Sequence, residues 1–307
     1  LLSQNGSMEL NAPFEEFEVM SIEADRTTSH TFDQAWLLRG VEFSMANDSA
    51  LDLPNVATIS DSAPNAARLR DNARLTIGSV DKLNAVTDMS AMTIEARGAS
   101  YLSMPTIETA STGTFEVRNQ AEVRLDALRT ITNALVDVIG DNQPTGPLFH
   151  APNWSTFEMG SLSVFEPNAE LNISSLSSFL NVNVEFQAGA SGEIPITNYD
   201  WTEEGGPRLI SARGENTSLS FPHLGRIEYD NDDTRPSIIE ARSGAILSFD
   251  SLSTISTPQA LDLLDENPGA LQIRFVSNGI GTLIELPNLT SFDDVVVFEE
   301  SNEGTIN

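Results

Sequence analysis

Apolar residues recur along this chain in short strips rather than in helical stripes. Leu51-Asp-Leu-Pro-Asn-Val-Ala-Thr-Ile59 returns as Leu219-Ser-Phe-Pro-His-Leu-Gly-Arg-Ile227 and as Ile284-Glu-Leu-Pro-Asn-Leu-Thr-Ser-Phe292. Further copies begin at Leu75, Leu102, Val123, Leu171, Ile194 and Leu247. Each has apolar residues at positions 0, +2, +5 and usually +8. A second strip lies eight residues upstream, as in Ile94-Glu-Ala-Arg97, Phe115-Glu-Val-Arg118, Ile239-Glu-Ala-Arg242 and Phe186-Gln-Ala188. Alternation with period two is the mark of a strand with one buried face. The spacing between copies runs from 21 to 28 residues, apart from one gap of 48 and one of 37.

A repeat of that length, with two or three short strands and tight corners, predicts an all-β fold: a single-stranded, right-handed parallel β-helix of about ten coils. No single coil can bury its own apolar face, but stacked coils at about 4.8 Å spacing merge their columns into a continuous core. Position +3 is proline in four copies (Pro54, Pro105, Pro222 and Pro287) and Gly, Asp, Ser or Thr in the others, which reads as a corner. The gap of 48 suggests two coils of 24; the stretch around 135–165, with Phe149, Phe157 and Leu162, fits the pattern only in conflicting registers. We read one solenoid domain over residues 1–307, with irregular or partial coils over 1–42, regular repeats over 43–295, and the start of a further coil or tail over 296–307. Met8-Glu-Leu10 and Gly304-Thr-Ile306 look like pieces of coils, and Leu1 opens without a basic or apolar leader. The chain therefore reads as a stretch of a longer protein.

The repeat resembles right-handed parallel β-helix proteins of the pectate-lyase-like kind. Its L-x-[LF]-P-x-L-x-x-[IF] strip is also similar to the leucine-rich solenoids of receptor L-domains and fungal cell-wall proteins. The first resemblance implies polysaccharide cleavage or glycan binding, the second extracellular recognition. The catalytic strips of the polygalacturonase relatives are incomplete here: Asp232-Asp233 and Asp293-Asp294 are present, but no Gly-His-Gly or Arg-Ile-Lys. The pectate-lyase Arg-x-Pro-x-x-Arg is missing too, since Arg235-Pro236 has neither the spacing nor the second arginine.

Composition narrows the functional classes. Sixteen basic against 45 acidic residues give a net charge of −29, and Lys82 is the one lysine. So acidic a chain does not bind nucleic acid by counterion release. The absence of cysteine excludes disulfides, thiolate metal sites and thiol nucleophiles. The longest aliphatic run, Val295–Val297, is far too short to insert in a membrane. Such a balance suits a secreted or cell-surface protein.

Four groups of residues carry candidate chemistry. Arg70, Arg97, Arg118 and Arg242 fall in one column five residues before position 0, with Arg213 one residue out of register and Glu95, Glu116 and Glu240 two residues earlier. This is either a guanidinium strip for an anionic glycan or a solvated Arg/Glu lattice. Trp201, following Asn198 and preceding Glu203 and Glu204, offers a ring for a sugar face if it lies outside the core, as Tyr199 does not; Trp154 is another such ring. Asp230, Asp232 and Asp233 form an oxygen-rich cluster suited to calcium, and Asp262, Asp265 and Glu266 form another, though neither has EF-hand spacing. If the chain is an enzyme, Asp232 and Asp233 are its candidate catalytic carboxylates. His30, His150 and His223 share no metal-ligand spacing. The pattern favours a non-catalytic adhesin, spacer or glycan-binding module, with a polysaccharide lyase or glycoside hydrolase as the alternative.

Overall fold

A computed structural model describes residues 2–3, 16–25, 29–32, 35, 37–56, 58–60, 65–77, 88–90, 92–141, 143–202, 208–230, 236–256, 273–292 and 296–307. All regular elements among the described residues are β-strands, stacked in parallel as a β-solenoid of about ten coils. The chain divides into two compact units: Leu1–Trp154 with Asn168–Ser174, and Ser155–Pro167 with Ser175–Asn307.

In the first unit each coil contributes three strips. Thr109–Ser111, Thr114–Arg118 and Glu122–Arg124 form one such coil, and each pairs in parallel with its counterparts in the coils before and after. The third strip makes a seven-stranded sheet: Ser29–Thr31, Ala50–Leu53, Arg74–Ile77, Tyr101–Ser103, Glu122–Arg124, Leu148–His150 and Glu170–Asn172. Its register brings Leu51, Leu75, Leu102, Val123, Phe149 and Leu171 into one column, so position 0 stacks as the repeat predicts. Phe149 is the rung hidden in the 48-residue gap. Ala151 then takes +2 and Trp154 takes +5, where its N–H bonds the Ala151 carbonyl at 3.1 Å just as Leu128 bonds Leu125. Alanine stands at +2 where the coils on either side have Leu125 and Ile173, and a large indole stands at +5 where they have Leu128 and Leu176. Trp154 is accordingly fully buried, edge-on to Phe149 at 6.0 Å, and is no surface ring.

The second unit repeats the plan. Its third strip runs through Ser191–Glu193, Ser218–Ser220, Ile246–Ser248, Leu283–Glu285 and Thr305–Ile306. Here the sequence register is corrected at one coil. Gly192, not Ile194, pairs with Leu219 at position 0, and Ile194 belongs at +2. The second strip moves with it: Val184 pairs with Ile210, Phe186 with Ala212, and Ala188 turns the corner at φ 56°. The cause is a volume exchange. Where the next two coils combine Ala212 with Leu219 and Ala241 with Leu247, this one combines Phe186 with Gly192. A Cβ on Gly192 would lie 2.9 Å from the Phe186 ring, so the phenyl group occupies the space of the missing side chain.

Corners follow turn chemistry. Between positions +2 and +5 the later N–H bonds the earlier carbonyl, as in Ile107 to Met104 (3.4 Å) and Leu289 to Leu286 (3.2 Å), which places Pro105 and Pro287 at the turn position that needs no donor. The corner between the second and third strips takes left-handed residues, among them Asn47 (φ 53°), Asp71 (φ 53°), Gly98 (φ 64°) and Asn119 (φ 62°). Asn72 Nδ2 donates to Asp48 Oδ1 one coil earlier at 3.0 Å, tying corner to corner. In the second unit buried threonines do this work. Thr282 Oγ1 accepts the Gly244 N–H at 2.9 Å and donates to the Asn278 carbonyl at 3.2 Å. Thr282→Val keeps the shape and removes both bonds, so a loss of about 1–3 kcal/mol is expected in urea unfolding; a change under about 0.5 kcal/mol would show the hydroxyl to be idle.

Candidate functional site

The arginine column is real in the first unit. Ala96 pairs with Leu69 and with Val117, which puts Arg70, Arg97 and Arg118 on successive rungs of the second strip. Arg97 Nη2 lies 2.8 Å from Glu116 Oε1, and the Arg118 guanidinium lies 2.6 Å from the same oxygen. Arg68 pairs with Glu42 and stands 3.6 Å from Glu95. Burial would raise the Glu116 carboxyl, but the hydrogen bonds and charges of Arg118 and Arg97 outweigh it and hold the pKa below the ordinary value. A carboxylate with a lowered folded-state pKa adds stability above its unfolded pKa and loses it as pH falls through the folded one. The stability gap between the native chain and Glu116→Gln is therefore expected to be open at neutral pH and to close on acidification; a gap constant with pH would contradict this.

In the second unit Arg213 pairs directly with Arg242, so it is in register after all; the corner following Arg213 is one residue longer than that following Arg242. Between them sits Glu240, whose side chain is 1% exposed. It accepts Arg213 Nε at 2.8 Å, Arg242 Nε at 2.7 Å and the Ser211 hydroxyl at 3.1 Å. Arg242 is thus a clamp on a buried carboxylate.

Trp201 is the clearest departure from the sequence reading. The strand Asn198–Thr202 alternates out and in, and both Tyr199 and Trp201 point inward, each fully buried. Trp201 lies 5.0 Å from Tyr199, extending an aromatic ladder through Phe157, Phe179 and Tyr199 with steps of 6.0 and 5.4 Å. Burial raises the Tyr199 phenol, which donates to the Val182 carbonyl. The period of two that placed Tyr199 inside already required the same of Trp201. Facing outward on this strand are exposed Asn198, in register with Arg226, and half-buried Asp200, in register with Glu228. Burial pushes the Asp200 carboxyl up, offset in part by Arg226, which itself pairs with Glu228. Asp230 continues the neighbouring strand, opposite Thr202. Asp232, Asp233, Asp262, Asp265 and Glu266 lie outside the described residues, and among the described residues no group of three or more His, Asp or Glu is arranged to hold a metal ion.

The richest outward surface is one that the sequence reading passed over. On the seven-stranded sheet of the first unit, Arg74 lies 4.8 Å above the ring of Tyr101, its partner in register. One rung further, Glu122 bonds Arg124 and raises its pKa. Beside Arg124 stands His150, with Nε2 3.2 Å from Asp126 Oδ1 and Nδ1 3.0 Å from Asn172 Nδ2. The ring is thus held from both sides, by the Asn172 amide at Nδ1 and by the Asp126 carboxylate at Nε2. Arg124 and Asn172 occupy the middle position of the apolar triplets and were visible there; His150 was hidden with the rung that Phe149 supplies.

Fold and surface together define a parallel β-solenoid whose outer faces carry ordered ladders of charge, amide and ring. No protein-family model matches the chain, and no curated protein or solved structure matches it either. No helix among the described residues is long and apolar enough to cross a membrane.

Proposed function

We propose that this chain is a non-catalytic, extracellular or cell-surface recognition solenoid that binds glycan on the outer face of its seven-stranded sheet. One observation carries the reading: Arg74 over Tyr101, Glu122 with Arg124, and Asp126–His150–Asn172 fix one another across successive rungs. Side chains held in this way lose little rotamer freedom when a ligand binds. A half-exposed ring edged by donors and acceptors of both kinds matches a sugar's apolar faces and hydroxyl rim. The resemblance to receptor L-domain solenoids accords with an adhesin or spacer role for the same surface.

A glycan array tests it. Retention of a defined oligosaccharide is expected, lost at least tenfold in Tyr101→Ala and in Asn172→Ala with circular dichroism unchanged, and with no product released. An array without retained glycans would sink the proposal. The second reading, polysaccharide cleavage of the pectate-lyase-like kind, has Asp200 in its favour. Its carboxyl is raised by burial and stands in register with Glu228, so two carboxylates share this outward face, one of them displaced toward the range of a general acid. Release of reducing ends or unsaturated product, abolished by Asp200→Asn, would favour that reading.

A further inference from the structure

In the first unit a cleft of about 170 Å³ opens on the second strip, lined by Ser44, Arg68, Leu69, Arg70, Glu95 and Arg97. Three guanidiniums and one carboxylate line it, on a chain whose charge is −29. Arg68 and Arg97 are partly neutralised: Glu95 lies 3.6 Å and 3.8 Å from them, Glu42 pairs with the first, and Glu116 with the second. Arg70 is different. It is exposed, shares the column with Arg97 one rung away, and joins no ion pair among the described residues. Arg70 and Arg97 stand on adjacent rungs, about 4.8 Å apart in backbone spacing, so their like charges favour an anion bound beside both.

From this we infer that the cleft, which lies on the second strip and so outside the seven-stranded sheet, takes a sulfate ester carried by a glycan; the inference rests on the reading that the chain binds glycan and adds a second site to it. The chemistry is that of a tetrahedral oxyanion. Three arginines converge on the cleft, and an ester-linked sulfate presents three terminal oxygens where a carboxylate presents two. The Ser44 hydroxyl adds a neutral donor at the wall. Glu95 is the opposing group, and its two arginine neighbours screen it. A phosphate monoester shares the geometry, but its second negative charge suits the Glu95 wall less well.

Calorimetry on the intact chain decides the matter with four probes: a sulfated oligosaccharide, its unsulfated parent, a uronate oligosaccharide of the same length, and sodium sulfate. The sulfated sugar is expected to bind at least tenfold more tightly than the parent or the uronate. That preference should disappear in Arg70→Gln and weaken steeply between 50 and 300 mM salt, roughly as ion-paired contacts do. Arg70 is exposed, so Arg70→Gln is expected to fold, which circular dichroism checks. If the parent binds as well as the sulfated sugar, or the uronate does, the cleft inference is overturned while the glycan reading stands. Sodium sulfate binding lost in Arg70→Gln, with no sugar bound, would leave an anion site and overturn the glycan part. If no probe binds, the cleft inference fails and the glycan reading rests on the array alone.

Discussion

Replacing Gly192 with leucine and cutting Phe186 back to alanine are each expected to destabilise the second unit, and together to cost clearly less than the sum of the two losses. A Cβ at Gly192 meets Phe186 Cε1 at 2.9 Å, closer than real side chains approach, and a leucine adds three more carbons to the same space. Overpacking of this kind costs about 1–3 kcal/mol or more. Phe186→Ala alone empties a fully buried site and should cost about 3–5 kcal/mol. The double change recreates the pairing that the following coils use, Ala212 with Leu219 and Ala241 with Leu247. It should therefore be more stable than the sum of the single losses by about 2–3 kcal/mol, the upper range of coupling between contacting residues. Urea midpoints for the four proteins give the coupling directly. Simple additivity would mean that the ring does not fill the glycine's space.

The second large effect is expected at Glu240. Removing a partner from a fully buried ion pair costs about 3–5 kcal/mol, while exposed pairs are worth about 0–1 kcal/mol. Glu240 lies between these cases. Its carboxylate is 1% exposed, yet Arg213 and Arg242 are 39% and 46% exposed and can turn to water when it is gone. The Ser211 hydroxyl is buried and cannot. Glu240→Ala should accordingly cost about 2–3 kcal/mol, the orphaned-donor range, and the loss should change little with added salt. Glu116 binds two arginines in the same outward geometry, but its side chain is 19% exposed and Arg97 is 50% exposed. Its alanine variant should lose less and respond more to salt. Equal losses at the two sites would show that burial does not set the difference.

The architecture was legible in the sequence because a solenoid core depends on a short pattern stated many times. Leu51, Leu75, Leu102 and Val123 stack as the spacing requires. The reading slipped where two neighbouring positions exchanged volume, since a pattern of apolar letters carries no sizes: Gly192 with Phe186, and Ala151 with Trp154. Both rings suggested for sugar contact belong to the core, Trp154 through the hidden rung of Phe149 and Trp201 through the alternation of its own strand. The arginine column was readable because a period fixes it. What the column binds was not: Arg97 and Arg242 differ in the burial of the carboxylate they meet, which depends on the neighbouring coil. Cross-coil relays such as Asp126–His150–Asn172 join residues 22 to 24 apart through rungs of unequal length, and only the register reveals them.

Rungs of the second strip pair with the next over stretches that stay within twofold of one another: Ile94 with Phe115, Ile210 with Ile239, Ile239 with Phe275. Within a unit, every closure therefore carries nearly the same entropic cost, because that cost grows only logarithmically with loop length. Once a first pair of coils has formed, each later coil docks on a finished template as its residues become available, without waiting for a distant segment. Such a chain is suited to folding in the order in which it is synthesised, and a fault in one coil would stall growth at that point while leaving the earlier coils intact.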